Sequence, residues 1–135
     1  MRSFSCEWVF CITLGVVICL TGIMQTASAN VVTGIDPVPN SHQVPVNTDA
    51  QITFDENLDP ATVDAGSFVL HTWRDGSAAG SFILGGSSFV FDPSYDFFPG
   101  ERVFGSVTAG IETGGVAVEP FVFGFRTEVI TATAM

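Results

Sequence analysis

Hydrophobic and polar positions divide the chain into two regimes. Trp8 to Met24 is an apolar run, WVFCITLGVVICLTGIM, with Arg2 before it and Ala27-Ser28-Ala29 after it. Beyond Asn30 no segment sustains a 3.6-residue apolar period. Short runs of period two take over, punctuated by Gly, Pro, Asn and Asp. Val31–Ile35 is stopped by Asp36-Pro37, and the turn-rich stretch Pro39–His42 leads to Val44-Pro45-Val46, where Pro45 suits only an edge or a bend. Ala50–Phe54 alternates with Ile52 and Phe54 on one face, and Ser67–Thr72 turns Phe68 and Leu70 inward. Ser81–Leu84 and Ser88–Phe91 follow. Arg102–Ala109 aligns Val103, Gly105, Val107 and Ala109, and Phe121–Arg126 sends Phe121, Phe123 and Phe125 the same way. The pattern predicts an all-β fold, a sandwich of about seven or eight antiparallel strands spaced roughly 8–12 residues apart.

Between these runs the punctuation predicts local structure. Asp59 suits an N-cap and Pro60 the first position of a short helical turn through Ala61-Thr62-Val63. A second turn is expected over Pro93–Phe97. Asp75-Gly76 is a hairpin pair, and Gly85-Gly86 and Gly114-Gly115 read as turns rather than phosphate loops, since neither stands between a strand and a helix. Gly66–Leu70 and Gly80–Leu84 are near-copies, expected to be neighbouring strands. Their 14-residue period is too short for a solenoid repeat.

The N-terminal regime reads as an address. A basic residue, an apolar core and a small-x-small site form a secretory leader, with a signal peptide over residues 1–29 and cleavage after Ala29. All three cysteines (Cys6, Cys11 and Cys19) lie within it, so the secreted domain holds no disulfide and no thiolate chemistry. Residues 30–128 then form one domain, and 129–135 a short tail.

Charge removes further readings. The 135 residues carry 14 acids against four Arg and no Lys, a net −10; without the leader, 13 acids and three Arg leave it unchanged. Such a surface repels nucleic acid and anionic membranes. At 47% apolar residues with 13 Phe, the chain is not a disordered acidic tail. With about eight of the eleven Phe beyond residue 30 buried, at roughly 1.5–3 kcal/mol each, two facing sheets have a sufficient core.

Four segments carry a resemblance: Val31–Val46 (VVTGIDPVPNSHQVPV), Asn47–Val63 (NTDAQITFDENLDPATV), Phe89–Arg102 (FVFDPSYDFFPGER) and Phe121–Thr127 (FVFGFRT). In order and spacing they resemble the bacterial Ig-like domain family of the S-layer (SbsA-like) type, as found ahead of FG-GAP/VCBS repeats in large secreted proteins. The resemblance covers residues 31–127. The closing strand departs from the family in carrying Phe123 and Phe125 where a Trp is usual. The resemblance implies an Ig-like β-sandwich, a secreted or cell-surface location and a non-catalytic role as spacer or adhesion module. It implies partners among other domains of a surface protein or cell-envelope components.

Candidate chemistry is sparse. Asp55, Glu56 and Asp59 put three carboxylates within five residues, oxygen ligands of the kind Ca²⁺ takes. The alternative is a solvated loop in which Asp59 caps the helical turn. No other cofactor is expected. His42 and His71 are far apart and lack Cys partners, which gives zinc no frame. There is no G-x-S-x-G elbow and no nucleophile–base pairing, so no enzyme is expected. Trp73, beside Arg74-Asp75-Gly76 in a hairpin loop, is a stacking platform for a sugar ring or an anchor for a partner. The alternative function is therefore a small carbohydrate-binding module using Trp73 and the end loops.

Overall fold

The computed structural model describes residues 30–130. The expected leader, with its expected cleavage position at Ala29, and residues 131–135 lie outside the described residues. The strands are β1 (Val32–Asp36), β2 (Ala50–Phe54), β3 (Phe68–Thr72), β4 (Gly76–Ser77), β5 (Gly80–Leu84), β6 (Ser88–Pro93), β7 (Arg102–Val107), β8 (Glu112–Thr113), β9 (Val116–Ala117) and β10 (Phe121–Arg126). Among the described residues the one helical element is a 3₁₀ turn, Pro60–Thr62. Eight strands build two four-stranded antiparallel sheets, ordered β1-β2-β6-β5 and β10-β7-β3-β4, and β8-β9 is a ribbon in the connection before β10. In immunoglobulin lettering the sheets read A-B-E-D and G-F-C-C′, the expected sandwich.

The alternation seen in the sequence decides which side chains meet between the sheets. Ile52, Phe54, Phe89 and Phe91 from the first sheet face Phe68, Leu70, Val103, Val107, Phe123 and Phe125 from the second, all buried. Seven Phe are buried and Phe82 packs against them half-buried. The Phe68 ring is the hub: it meets Phe89 edge-on at 5.0 Å, Phe82 edge-on at 6.2 Å and Phe91 at 5.6 Å, joining β3 to both β5 and β6. Such edge-to-face pairs add about 0.5–1.5 kcal/mol each beyond their buried area. Phe123 lies over Gly105 so closely that a Cβ there would stand 2.3 Å from its ring.

At one pole the connections β2–β3, β5–β6 and β7–β10 bind one another. Leu58 N–H donates to the Gly86 carbonyl (2.8 Å), Gly114 N–H to Asn57 (2.8 Å) and Asp59 N–H to Glu112 (2.9 Å). Asn30 enters the sandwich here, bridged to Val118. At the opposite pole sit the β3–β4 hairpin, the β6–β7 connection and the exit of the chain, where Gly100 N–H donates to the Glu128 carbonyl (2.8 Å).

Several expectations need correction. The echoing strands β3 and β5 are not neighbours: they belong to different sheets, because the chain crosses over at Ala78-Ala79 after the two-residue β4. Pro93–Phe97 forms no helical turn; Pro93 ends β6, and Phe97 N–H is held by the Val46 carbonyl (2.8 Å). The strand expected at Val44–Val46 shrinks to a single parallel bridge between Val44 and Thr127. Its flanks are nonetheless tied to β10: Asn40 N–H to Gly124 O (2.7 Å), Arg126 N–H to Ser41 O (2.9 Å), Val44 N–H to Arg126 O (3.1 Å) and Glu128 N–H to Val44 O (2.8 Å). β7 stops at Val107, so Ala109 is outside the strand and exposed. Phe121 is half-exposed, stacked on Phe123 rather than buried beside it.

Candidate functional site

The acidic end was the first candidate. Asp59 caps the 3₁₀ turn, its Oδ1 accepting from Ala61 N–H at 3.0 Å. Asp55 Oδ1 accepts from Val31 N–H at 3.1 Å, fixing the start of β1. Glu56 lies beside the Gly114 turn. Two of the three carboxylates thus already serve backbone amides, and no group of three or more His, Cys, Asp or Glu among the described residues is placed to hold a metal. His71 is exposed on the outer face of β3, opposite Phe104, and His42 is exposed in the loop after β1.

Trp73 has a different setting. It opens the β3–β4 hairpin, whose three loop residues are closed by Asp75 N–H donating to Thr72 Oγ1 (3.1 Å). Gly76 takes φ +80°, which a side-chain-bearing residue rarely adopts. Thr72 is buried, so alternation turns Trp73 outward, and it is 83% exposed. Its N–H donates to the Arg102 carbonyl (3.2 Å), prolonging the β3–β7 ladder by one step.

On that outer face β7 and β10 pair Arg102 directly with Arg126. The row across three strands is therefore Trp73, Arg102, Arg126. Arg74 adds a third guanidinium, 4.5 Å over the Phe98 ring. Arg126 Nε donates to the Gly100 carbonyl at 3.1 Å. Beneath them Glu101 is buried, and both its oxygens are taken by backbone amides: Oε1 by Arg74 N–H and Oε2 by Phe98 N–H, each at 3.0 Å. Glu101 N–H donates to Thr127 Oγ1 (2.7 Å), which donates to the Phe98 carbonyl (2.6 Å). This buried network pins the hairpin tip, the β6–β7 connection and the exit strand to one another.

The result is a cleft of about 460 Å³ lined by Trp73, Arg74, Phe98, Arg102, Phe104 and Arg126. A second cleft of about 470 Å³ shares Arg102, Phe104 and Arg126 and extends past Val122 to His42. Every arginine beyond Arg2 lies on this one surface of a chain whose net charge is −10. Sequence reasoning singled out Trp73 and missed the arginines and Glu101. The arginines stand 28 and 24 positions apart, and only antiparallel pairing of the first residue of β7 with the last of β10 brings two of them together.

Solved structures share the architecture at low identity, which bears on the fold alone. CopC from Methylosinus trichosporium OB3b aligns with a TM-score of 0.60 at 9% identity, over 78% of this chain and 99% of that one. Domains 1–6 of the surface layer protein SbsC align at 0.57 and 13%, over 77% of this chain and 14% of that one. The LD transpeptidase LdtMt1, in complex with imipenem, aligns at 0.56 and 18%, over 75% and 41%. The chain thus spans well under half the length of the transpeptidase and a small part of the surface layer protein. No curated protein sequence matches it significantly. The model of the bacterial Ig-like domain matches residues 26–127, which include both sheets and the cleft between Trp73 and Arg126, and the chain belongs to that family.

Proposed function

We propose that this is a non-catalytic, secreted Ig-like module that serves as a structural spacer or adhesion domain of a cell-surface or secreted protein of the S-layer (SbsA-like) type. Residues 1–29 act as its leader, and its partners are other domains of that protein or components of the cell envelope. The arrangement ahead of FG-GAP/VCBS repeats belongs to the same proposal. The observation that carries it is the placement of entry and exit. Asn30 is bound at one pole, against Val118, and Glu128 at the other, against Gly100. Modules joined through such ends extend a chain without folding it back. A sandwich stabilised by its core alone performs this task with no reactive group.

Small-angle X-ray scattering of two copies joined tail to head tests this reading. The expected outcome is a maximum dimension close to twice that of one copy. A two-copy protein no longer than about one and a half copies would show the ends to be on the same side and would contradict the spacer reading.

A second reading, a small carbohydrate-binding module, is favoured by one specific observation. Trp73 is 83% exposed at the rim of a cleft, held there by the hairpin and the Glu101 network. An indole so placed offers its face to a sugar ring.

A further inference from the structure

We propose that the outer face of the β10-β7-β3-β4 sheet is a binding site for an acidic saccharide, a sugar ring that carries its own carboxylate. The inference rests on the carbohydrate-binding reading and names its substrate class.

Three independent features converge on it. The first is the segregation of charge. The chain is strongly acidic, yet all its arginines beyond Arg2 surround one cleft. Glu101 is the sole carboxylate lining it, and both its oxygens are engaged by backbone amides. The guanidinium contacts among the described residues are the Arg74–Phe98 stacking and the Arg126 Nε bond to a carbonyl, neither of them to a carboxylate. The guanidinium groups thus keep forked donor pairs facing solvent, the geometry that binds a carboxylate bidentately.

The second is a like-charge pair built into the ladder. Arg102 and Arg126 stand directly opposite on β7 and β10. Like charges in that relation destabilise a sheet. An anion between them removes the repulsion, so the unliganded site carries a cost that ligand relieves.

The third is the indole in the same row. Trp73 follows Thr72, which pairs with Val103, so it lies one strand from Arg102 at the next step of the ladder. Adjacent cross-strand positions are about 4.5–5.5 Å apart. An indole face and a guanidinium on neighbouring positions of one row can meet a single sugar ring and the carboxylate it carries. The second cleft, sharing Arg102, Phe104 and Arg126, continues the surface toward His42 and offers room for a neighbouring unit of a polymer.

The test is calorimetric titration of the intact secreted protein with an oligogalacturonate, a neutral malto-oligosaccharide of equal length and inorganic polyphosphate. Tryptophan emission is followed in parallel, since Trp73 is the one indole beyond Trp8. The oligogalacturonate is expected to bind, to shift the emission, and to lose about tenfold or more in affinity when salt rises from about 50 mM to about 500 mM. Arg102→Gln is expected to lower affinity about tenfold or more while raising Tm, because it removes the repulsion together with the carboxylate partner. Trp73→Ala is expected to weaken binding roughly tenfold with Tm unchanged.

Equal binding of the neutral oligosaccharide would overturn the acidic specificity and leave the carbohydrate-binding reading standing. Binding of neither sugar would overturn both. Polyphosphate binding as tightly as the uronate, with no effect of Trp73→Ala, would reduce the site to charge alone and overturn the proposal. Concentration-dependent self-association abolished by Arg102→Gln would identify the occupant as a second copy of this acidic chain and overturn it too. A fall in Tm in Arg102→Gln matching its loss of binding would assign Arg102 a structural role instead.

Discussion

Carboxylates at the two poles do the same work. Asp59, Asp55 and Glu101 bind backbone N–H groups and so hold connections in place. Asp64 belongs with them. Its Oδ1 accepts from Gly66 and Ser67 N–H, each at 2.8 Å, in the turn that leads into β3. Those two amides hold its carboxyl below the usual carboxylate range. A depressed folded value contributes stability that is present above the unfolded value of about 3.9 and is lost as pH falls through the folded one. Asp64→Ala is therefore expected to lower Tm at neutral pH, and the gap from the wild type to narrow as pH drops below about 4. Denaturation curves of both proteins across that range check this; a gap as wide at pH 2 as at pH 7 would contradict it. Asp59 as cap was legible because Asp-Pro followed by Ala-Thr is a local signature. Glu101 was not: of the two amides its side chain serves, Phe98 is three positions away but Arg74 is 27, and a role that depends on so distant a partner leaves no local pattern.

At the level of elements, legibility followed the strength of alternation. Ala50–Phe54 and Phe121–Arg126 were predicted with the bounds they have, since apolar and small residues alternate without a break. The two-residue strands β4, β8 and β9 were not foreseen, being too short to show a period, although the turn glycines between them were. The likeness of Gly66–Leu70 to Gly80–Leu84 misled: similar patterns mark similar burial, and both strands indeed send a Phe inward, but from opposite sheets. β7 and β10 show how an element depends on its neighbour. Gly105 is small because Phe123 occupies the space where its Cβ would be. Phe123→Ala is expected to destabilise the domain by about 3–5 kcal/mol. Gly105→Ala is expected to destabilise it by about 1–3 kcal/mol in the wild type and by clearly less when Phe123 is already Ala. Urea titration of the two single variants and the double variant measures this; strictly additive losses would mean that the ring and the glycine do not share that space.

For the whole molecule, the proposed spacer role rests on the path of the chain through the sandwich. The two ends of the sandwich lie at opposite poles, and tension between them runs along the strands. The segment at residues 40–44 and the end of β10 run parallel and are joined by four backbone hydrogen bonds. Load entering before the first and leaving after the second shears these bonds together rather than opening them singly. Among the described residues no helix is long and apolar enough to cross a membrane. The Trp73–Arg102–Arg126 face lies at the exit pole beside the seam between residues 40–44 and β10, and Arg126 belongs to both.

Single-molecule pulling on a tandem of identical copies, attached before residue 30 and after residue 130, tests whether this seam resists tension. All-or-none rupture of each copy is expected, with a lower rupture force in Val44→Pro, which removes the N–H that donates to the Arg126 carbonyl. A gradual extension without discrete ruptures, or a rupture force unchanged by Val44→Pro, would contradict it.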